Sequence, residues 1–275
     1  MQTRCQPLLG TLVEITVPDA GAGAIDGAFA AIAQVQTRMS FHDEDSDLAM
    51  LRNAGPGEAV EVAPETLEVL GIALELHRNT NGLFDVTIGR ELVRDGFLPQ
   101  PEGPEASHCS GTSADIEIVD DRRVRCHEPM LIDLGGIAKG FAVDRAVAAL
   151  EAAGVTEGLV NAGGDLRMFG ARDWTVGLRD GDGKVRERIA LADCAIASSA
   201  NAGSSHRRQS RLFAPHFGAG RAPVAVPTRV SVIADRCVIA DALTKVAIAA
   251  PASSQWIAAS YGARILRESA LEKAA

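Results

Sequence analysis

The chain is 275 residues long, carries a net charge of −9, and is 47% hydrophobic with only 4% aromatics. This length serves one large domain or two small ones, and the apolar content supplies a core of Ala, Val, Leu and Ile, which excludes a disordered chain. The acidic balance excludes a protein that coats nucleic-acid phosphates or an anionic membrane with a basic face.

A phosphorylated ligand would therefore be neutralised locally, by a metal, a lysine or a helix N-terminus. The five cysteines, Cys5, Cys109, Cys126, Cys194 and Cys237, are scattered and contain no CxxC pair. They predict no disulfide framework and fit a reducing compartment. His108-Cys109 and Cys126-His127 make an awkward zinc set, because neighbours on an extended chain point to opposite faces. No apolar run reaches the length of a membrane span. No leader pattern opens the sequence, so the expected location is cytoplasmic, or periplasmic for a chain freed of its leader.

Residues 11–17 (TLVEITV) alternate and are β-branched, which predicts a strand. Residues 24–39 carry Ile25, Ala28, Phe29, Ile32 and Val35 at helical spacing. Pro64 opens a second helix, with Leu67, Leu70, Ala73, Leu74 and His77 on one face and Asn81-Gly82 as its stop. Residues 98–113 are rich in Pro, Gly and Ser and read as a loop. Short strands are predicted at 116–119, 124–126 and 130–133. A helix over 140–153 ends with Gly154 as its C′ residue. Strands follow at 158–161, 174–179, 188–192 and 195–199, then a basic loop over 202–227. A strand at 229–234, helices over 238–250 and 253–260, and a strand at 264–266 complete the chain. Strands outnumber helices without alternating strictly, so the class is α+β: one domain with packed helices around a mixed, largely antiparallel sheet.

Residues 132–140, Ile-Asp-Leu-Gly-Gly-Ile-Ala-Lys-Gly, are the richest in chemistry. A strand ends in Asp133, two glycines turn the chain, and a helix starts with Lys139 in its first turns. Glycines admit close backbone approach, a helix N-terminus offers free N–H groups, and Lys139 adds a point charge. The order is neither a Walker A loop nor GxGxxG. A glycine turn packing a helix on a strand, with Lys139 solvated, would look the same. Residues 161–165, Asn-Ala-Gly-Gly-Asp, repeat a strand, a glycine pair and a carboxylate one strand–helix–strand unit later, a pattern that is often only a turn.

IDLGGIAKGFAVDRAVAAL (132–150) followed by LVNAGGDLRMFG (159–170) resembles the central signature of the FAD:protein FMN transferase (ApbE) family. Leu9-Gly10-Thr11, MSFHDEDSDLAMLRNAG (39–55), NGLFDVTIG (81–89) and ADALTKVAIAA (240–250) resemble other family segments in the same order. The likeness extends over almost the whole chain and implies an ApbE-like flavin-binding domain over residues 1–275. It implies an enzyme that binds FAD with Mg2+ and transfers FMN to a threonine or serine hydroxyl of a target flavoprotein, releasing AMP.

By the same resemblance, Asp133, Lys139 and Leu83-Phe84-Asp85 would contact FAD, and Leu9, His42 and Leu212 would pack around the flavin. The carbonyl of Gly136, with Asp241, would face the metal. Asp85 and Asp241 equally suit capping, Phe84 plain core, and His42 an exposed loop.

Two departures stand out. The fourth residue after Asp241 is Lys245 where the family carries a hydroxyl, and Thr244 stands one place earlier. Either Thr244 reaches the metal, or the Lys245 ammonium pairs with Asp241 and partly replaces the ion. In the family's His-Ile-x-Asp-Pro-x-Thr-Gly segment, Arg211 and Ala214 occupy the histidine and aspartate positions, so the catalytic base is open, with His206 and His216 as candidates. Arg207, Arg208 and Arg211 suit phosphate contacts or a solvated basic loop. Alternative activities are a non-catalytic FAD carrier and an FAD pyrophosphatase releasing FMN and AMP.

Overall fold

The computed structural model describes residues 1–179, 183–200, 214–224 and 229–267, and the backbone alone of 206–208 and 211–213. The side chains of His206, Arg207, Arg208, Arg211 and Leu212 lie outside the described residues. In chain order the first elements are β1 (Gln2–Leu8), β2 (Thr11–Val17), α1 (Ile25–Arg38), α2 (Asp47–Asn53), β3 (Ala59–Glu61), α3 (Pro64–Asn79) and α4 (Gly89–Arg94). Next come β4 (Ile116–Ile118), β5 (Arg123–Cys126), α5 (Ala138–Ala152), β6 (Gly158–Ala162), β7 (Asp165–Phe169), β8 (Trp174–Arg179), β9 (Val185–Leu191) and β10 (Ala195–Ala200). The last are β11 (His206–Arg208), β12 (Arg211–Phe213), β13 (Arg229–Ala234), α6 (Cys237–Ala249), α7 (Ser254–Ser260) and β14 (Arg264–Arg267).

Seven strands form the main sheet in the order β1-β2-β6-β7-β10-β13-β14. Every pairing among the described residues is antiparallel. The α+β class and the antiparallel character follow the expectation. Val13, Ile15 and Val17 of β2 are fully buried and join the core beneath α1, α5 and α6. Helix α1 buries Ile25, Ala28, Phe29, Ile32 and Val35, the residues its spacing names. Each of these side chains except the small Ala28 stabilises the fold by roughly 1.5–3 kcal/mol relative to exposure. On the opposite sheet face, the β8–β9 ribbon lays Val176 against Met168 and Ile196.

Helix stops behave as read. Asn81 (φ 51°) and Gly82 (φ 76°) turn the chain after α3, and Gly154 (φ 83°) does so after α5. The strand list is corrected in part. Residues 130–133 form no strand, because their partner is the irregular stretch 86–89, reached through single hydrogen bonds. β1 and β7 were not anticipated: QTRCQPL is polar and mostly exposed, and DLRMF follows its turn at once. Asn161–Asp165 is the turn that its glycine pair predicts. It is a β6–β7 hairpin whose loop residues Gly163 and Gly164 both take positive φ (62° and 103°), as a tight two-residue hairpin demands. No helix among the described residues is long and apolar enough to cross a membrane.

Candidate functional site

The stretch 133–139 is the hub of the site. The Asp133 N–H donates to the Val86 carbonyl at 2.7 Å, and the Gly89 N–H to the Leu131 carbonyl at 3.1 Å. These bonds draw the 82–88 turn against the start of α5. Two cavities meet at Asp133. The first is lined by Leu83, Phe84, Asp85, Gly136, His216 and Lys245, among others. The second, about 370 Å³, is lined by residues including Leu9, Met39, Phe41, His42 and Lys139, and a volume of that size accommodates a large aromatic ring system. The sequence candidates thus divide between two adjoining lobes, with Asp133 on both walls. Burial pushes the Asp133 carboxyl above its ordinary value, opposed by the Gly135 amide at 3.1 Å and the charges of His42 and Lys245.

Below Asp133 lies a buried ion cluster. The Lys139 ammonium pairs with Asp165, and Lys245 pairs with Asp241 one helical turn away on α6. Asp165 and Asp241 are almost fully buried, while the two lysines keep a partly exposed side. Burial works against the Lys139 charge, but Asp241 and Asp165 outweigh it and hold the ammonium above the ordinary lysine value. Burial and the repulsion of Asp241 push Asp165 up. Asp241 goes down: burial opposes its charge, but Lys245, Lys139 and the Gly140 N–H prevail. That N–H donates to Asp241 Oδ2 at 3.0 Å. The contact needs a glycine, because a Cβ at position 140 would stand 2.3 Å from the Cys237 carbonyl oxygen.

Asp85 is saturated with donors. Its Oδ1 accepts from the Thr87 amide (2.9 Å) and hydroxyl (2.7 Å) and from the Ser113 hydroxyl (2.7 Å). Its Oδ2 accepts from Arg221 at 2.8 Å. Burial pushes the carboxyl up, but these donors, Thr87 and Arg221 foremost, bring it below its ordinary value. Arg221 also reaches Thr87, the Gly111 carbonyl (3.2 Å) and Glu91 (3.5 Å). It straps the 214–224 stretch, which carries His216, to the opposite wall of the first cavity. No periodicity or motif announces Arg221 in the sequence. Phe84 is core, 4% exposed. Ala214 is fully buried. His216 is driven to about 4 by burial, reinforced by Lys245 and opposed by Asp241.

The magnesium expected near Gly136 and Asp241 does not fit the residues as arranged. Both Asp241 carboxylate oxygens are engaged, one by the Lys245 ammonium and one by the Gly140 N–H. The Thr244 hydroxyl donates to the Asp241 carbonyl at 2.7 Å and also bonds the Ser199 hydroxyl at 2.8 Å. A dication about 4 Å from an ammonium would be repelled by roughly 8 kcal/mol at an effective dielectric of about 20. No group of three His, Cys, Asp or Glu side chains among the described residues is placed to hold a metal.

A two-lobed cleft with Asp133 at its waist, Lys245 on the wall of one lobe and Lys139 on that of the other, on an antiparallel α+β scaffold, defines a class suited to an elongated anionic ligand. The chain belongs to the ApbE family, whose sequence profile matches residues 9–265. It is similar to the FAD:protein FMN transferase of Haemophilus influenzae, 28% identical over 191 residues covering 62% of this chain and 55% of that protein. It is 30% identical over 190 residues to the FAD:protein FMN transferase of Rhodobacter capsulatus, covering 63% of this chain and 36% of that protein. The chain thus spans about half the length, or less, of these curated relatives. Among solved structures, the ApbE protein of Thermotoga maritima matches with a TM-score of 0.81 at 26% identity, over 97% of this chain and 93% of that one. The apo flavinyl transferase ApbE of Pseudomonas stutzeri matches with a TM-score of 0.83 over 97% of this chain and 90% of that one. At 20% identity that likeness shows the fold.

Proposed function

We propose that this chain binds FAD and transfers its FMN half to a threonine or serine hydroxyl of a partner flavoprotein. The observation that carries the reading is the pair of adjoining lobes, with Lys245 on the wall of the first and Lys139 on the wall of the second. One lobe takes an aromatic ring system, and the ammonium groups face the diphosphate that joins the two halves of the dinucleotide. The acceptor oxygen forms a bond to the phosphorus of the FMN half, the diphosphate bridge breaks, and AMP departs with the bridging oxygen. The hydroxyl proton passes to a base. His216 is the imidazole on the wall of the first cavity, and it is neutral at pH 7.

A second reading, an FAD-binding protein without transferase activity, is favoured by one observation. An imidazole lowered to about 4 is a weak base, far from the match to working pH that general-base catalysis favours. Incubation with FAD and a threonine-bearing acceptor, with and without Mg2+, separates the readings. Covalent FMN on the acceptor supports transfer. Free FMN and AMP indicate a pyrophosphatase, and bound, intact FAD indicates a carrier. Protein that never retains FAD under either condition refutes all three.

A further inference from the structure

The Lys245 ammonium is held in a set of oxygens. The Asp241 carboxylate pairs with it, and the Asp241 carbonyl and Ser199 hydroxyl each lie 3.3 Å away. Carboxylate, carbonyl and hydroxyl oxygens are the donor types a hard divalent cation takes. The lysine stem runs beside Gly136, with Cε 3.5 Å from where a Cβ on that residue would stand. A larger side chain there would press on the stem. Lys245 lines the first cavity with Asp133 and His216. Asp241 is fully buried, whereas the Lys245 side chain is 22% exposed, so of the pair it is the lysine that borders the cleft.

We propose that the Lys245 ammonium is the built-in counter-ion of the dinucleotide's diphosphate and takes the place of a divalent cation at Asp241. The diphosphate half of the proposal rests on the FAD reading above. The exclusion of a divalent cation from Asp241 does not. A tethered ammonium needs no recruitment from solution, so FAD binding becomes independent of metal. Lys139, paired with Asp165 on the other side of the waist, supplies the second fixed cation.

Two titrations on the full chain test this, with wild type, Lys245→Thr, Lys245→Met and Asp241→Asn, each first checked for a cooperative melting transition. The first follows Mn2+ by electron paramagnetic resonance, without flavin. Wild type is expected to show no Mn2+ site that Asp241→Asn removes, and Lys245→Thr to gain one, with a melting temperature that rises on adding Mg2+. The second follows FAD by quenching of flavin fluorescence, in EDTA and in Mg2+. Wild-type affinity is expected to agree within about twofold between the buffers. Lys245→Thr should lose about tenfold in EDTA and recover in Mg2+, and Lys245→Met should lose the same and not recover. A wild-type Mn2+ site abolished by Asp241→Asn overturns the cation half. A wild-type FAD affinity that falls about tenfold in EDTA overturns the diphosphate half. If no protein binds FAD in either buffer, the FAD reading fails and the diphosphate half with it, while the Mn2+ titration still decides the cation half.

Discussion

Gly140 and Asp241, 101 positions apart in sequence, are joined by an N–H to carboxylate hydrogen bond of 3.0 Å. It fixes the start of α5 against α6 and so sets where both lysines of the ion cluster stand. Asp144, one turn further along α5, accepts from the Cys237 and Val238 amides at 2.8 and 2.9 Å. The two contacts pin one helix to the other at its N-terminus.

Gly140→Ala is expected to destabilise the fold by about 1–3 kcal/mol, the usual cost of overpacking. Alanine gains about 1 kcal/mol of helix propensity over glycine. That gain loses here, because the new Cβ would stand 2.3 Å from the Cys237 carbonyl oxygen and 2.8 Å from Asp241 Cβ. Backbone cannot yield as a flexible side chain does. Urea unfolding reads the difference, and a variant as stable as wild type would show that α5 and α6 part freely.

Asp144→Ala removes the only side-chain acceptor among the described residues for the first amides of α6, whose own N-cap residue, Arg236, makes no capping bond. Loss of such a cap costs about 1–2 kcal/mol. Asp144→Asn should retain part of it, since one oxygen remains. A loss common to both substitutions would mean that the carboxylate charge, rather than the acceptor geometry, holds the helix.

These helix contacts show what pattern alone reveals. Periodicity carries the buried face of an element, so Phe29 and Ile32 were placed correctly on α1. It says nothing of single long-range bonds, and Asp144 and Arg221 went unmarked as a result. The 161–165 glycine pair was legible as a turn, but the strand that follows it was not. Positive φ at both Gly163 and Gly164 closes the two strands into a hairpin. Residues 130–133 carry strand composition without a strand, because composition records burial and not the availability of a partner ladder. Lys245 was legible as an anomaly in its helix, and its ammonium lies on Asp241.

Arg221→Ala should cost about 2–4 kcal/mol, less than a fully buried pair because the arginine keeps some exposure. Asp85 would lose its cationic partner, while Glu91 would keep Arg90. Arg221→Lys should recover only part, since one ammonium cannot span Asp85, Thr87 and the Gly111 carbonyl with the spread of a guanidinium. Thermal melting measures the cost. Amide hydrogen exchange over residues 214–224 measures the strap. Unchanged exchange in Arg221→Ala would show that the stretch is held by other contacts.

The pH behaviour of His216 follows from the same cavity. Its folded pKa is lowered from 6.5 to about 4 by burial and by Lys245, against the pull of Asp241. Between those two values the unfolded chain binds a proton that the folded chain does not. Stability from this group therefore rises with pH from about 4 to 6.5 and is flat above. Acidification through that window should weaken wild type more than His216→Gln, which has no proton to bind there. Side-chain NMR should place the imidazole midpoint near 4, and Lys245→Met should raise it, since the ammonium is one of the forces holding it down. A midpoint near 6.5 in wild type would place the ring in solvent. It would also remove the argument that His216 is a weak base, and with it the main support for binding without transfer.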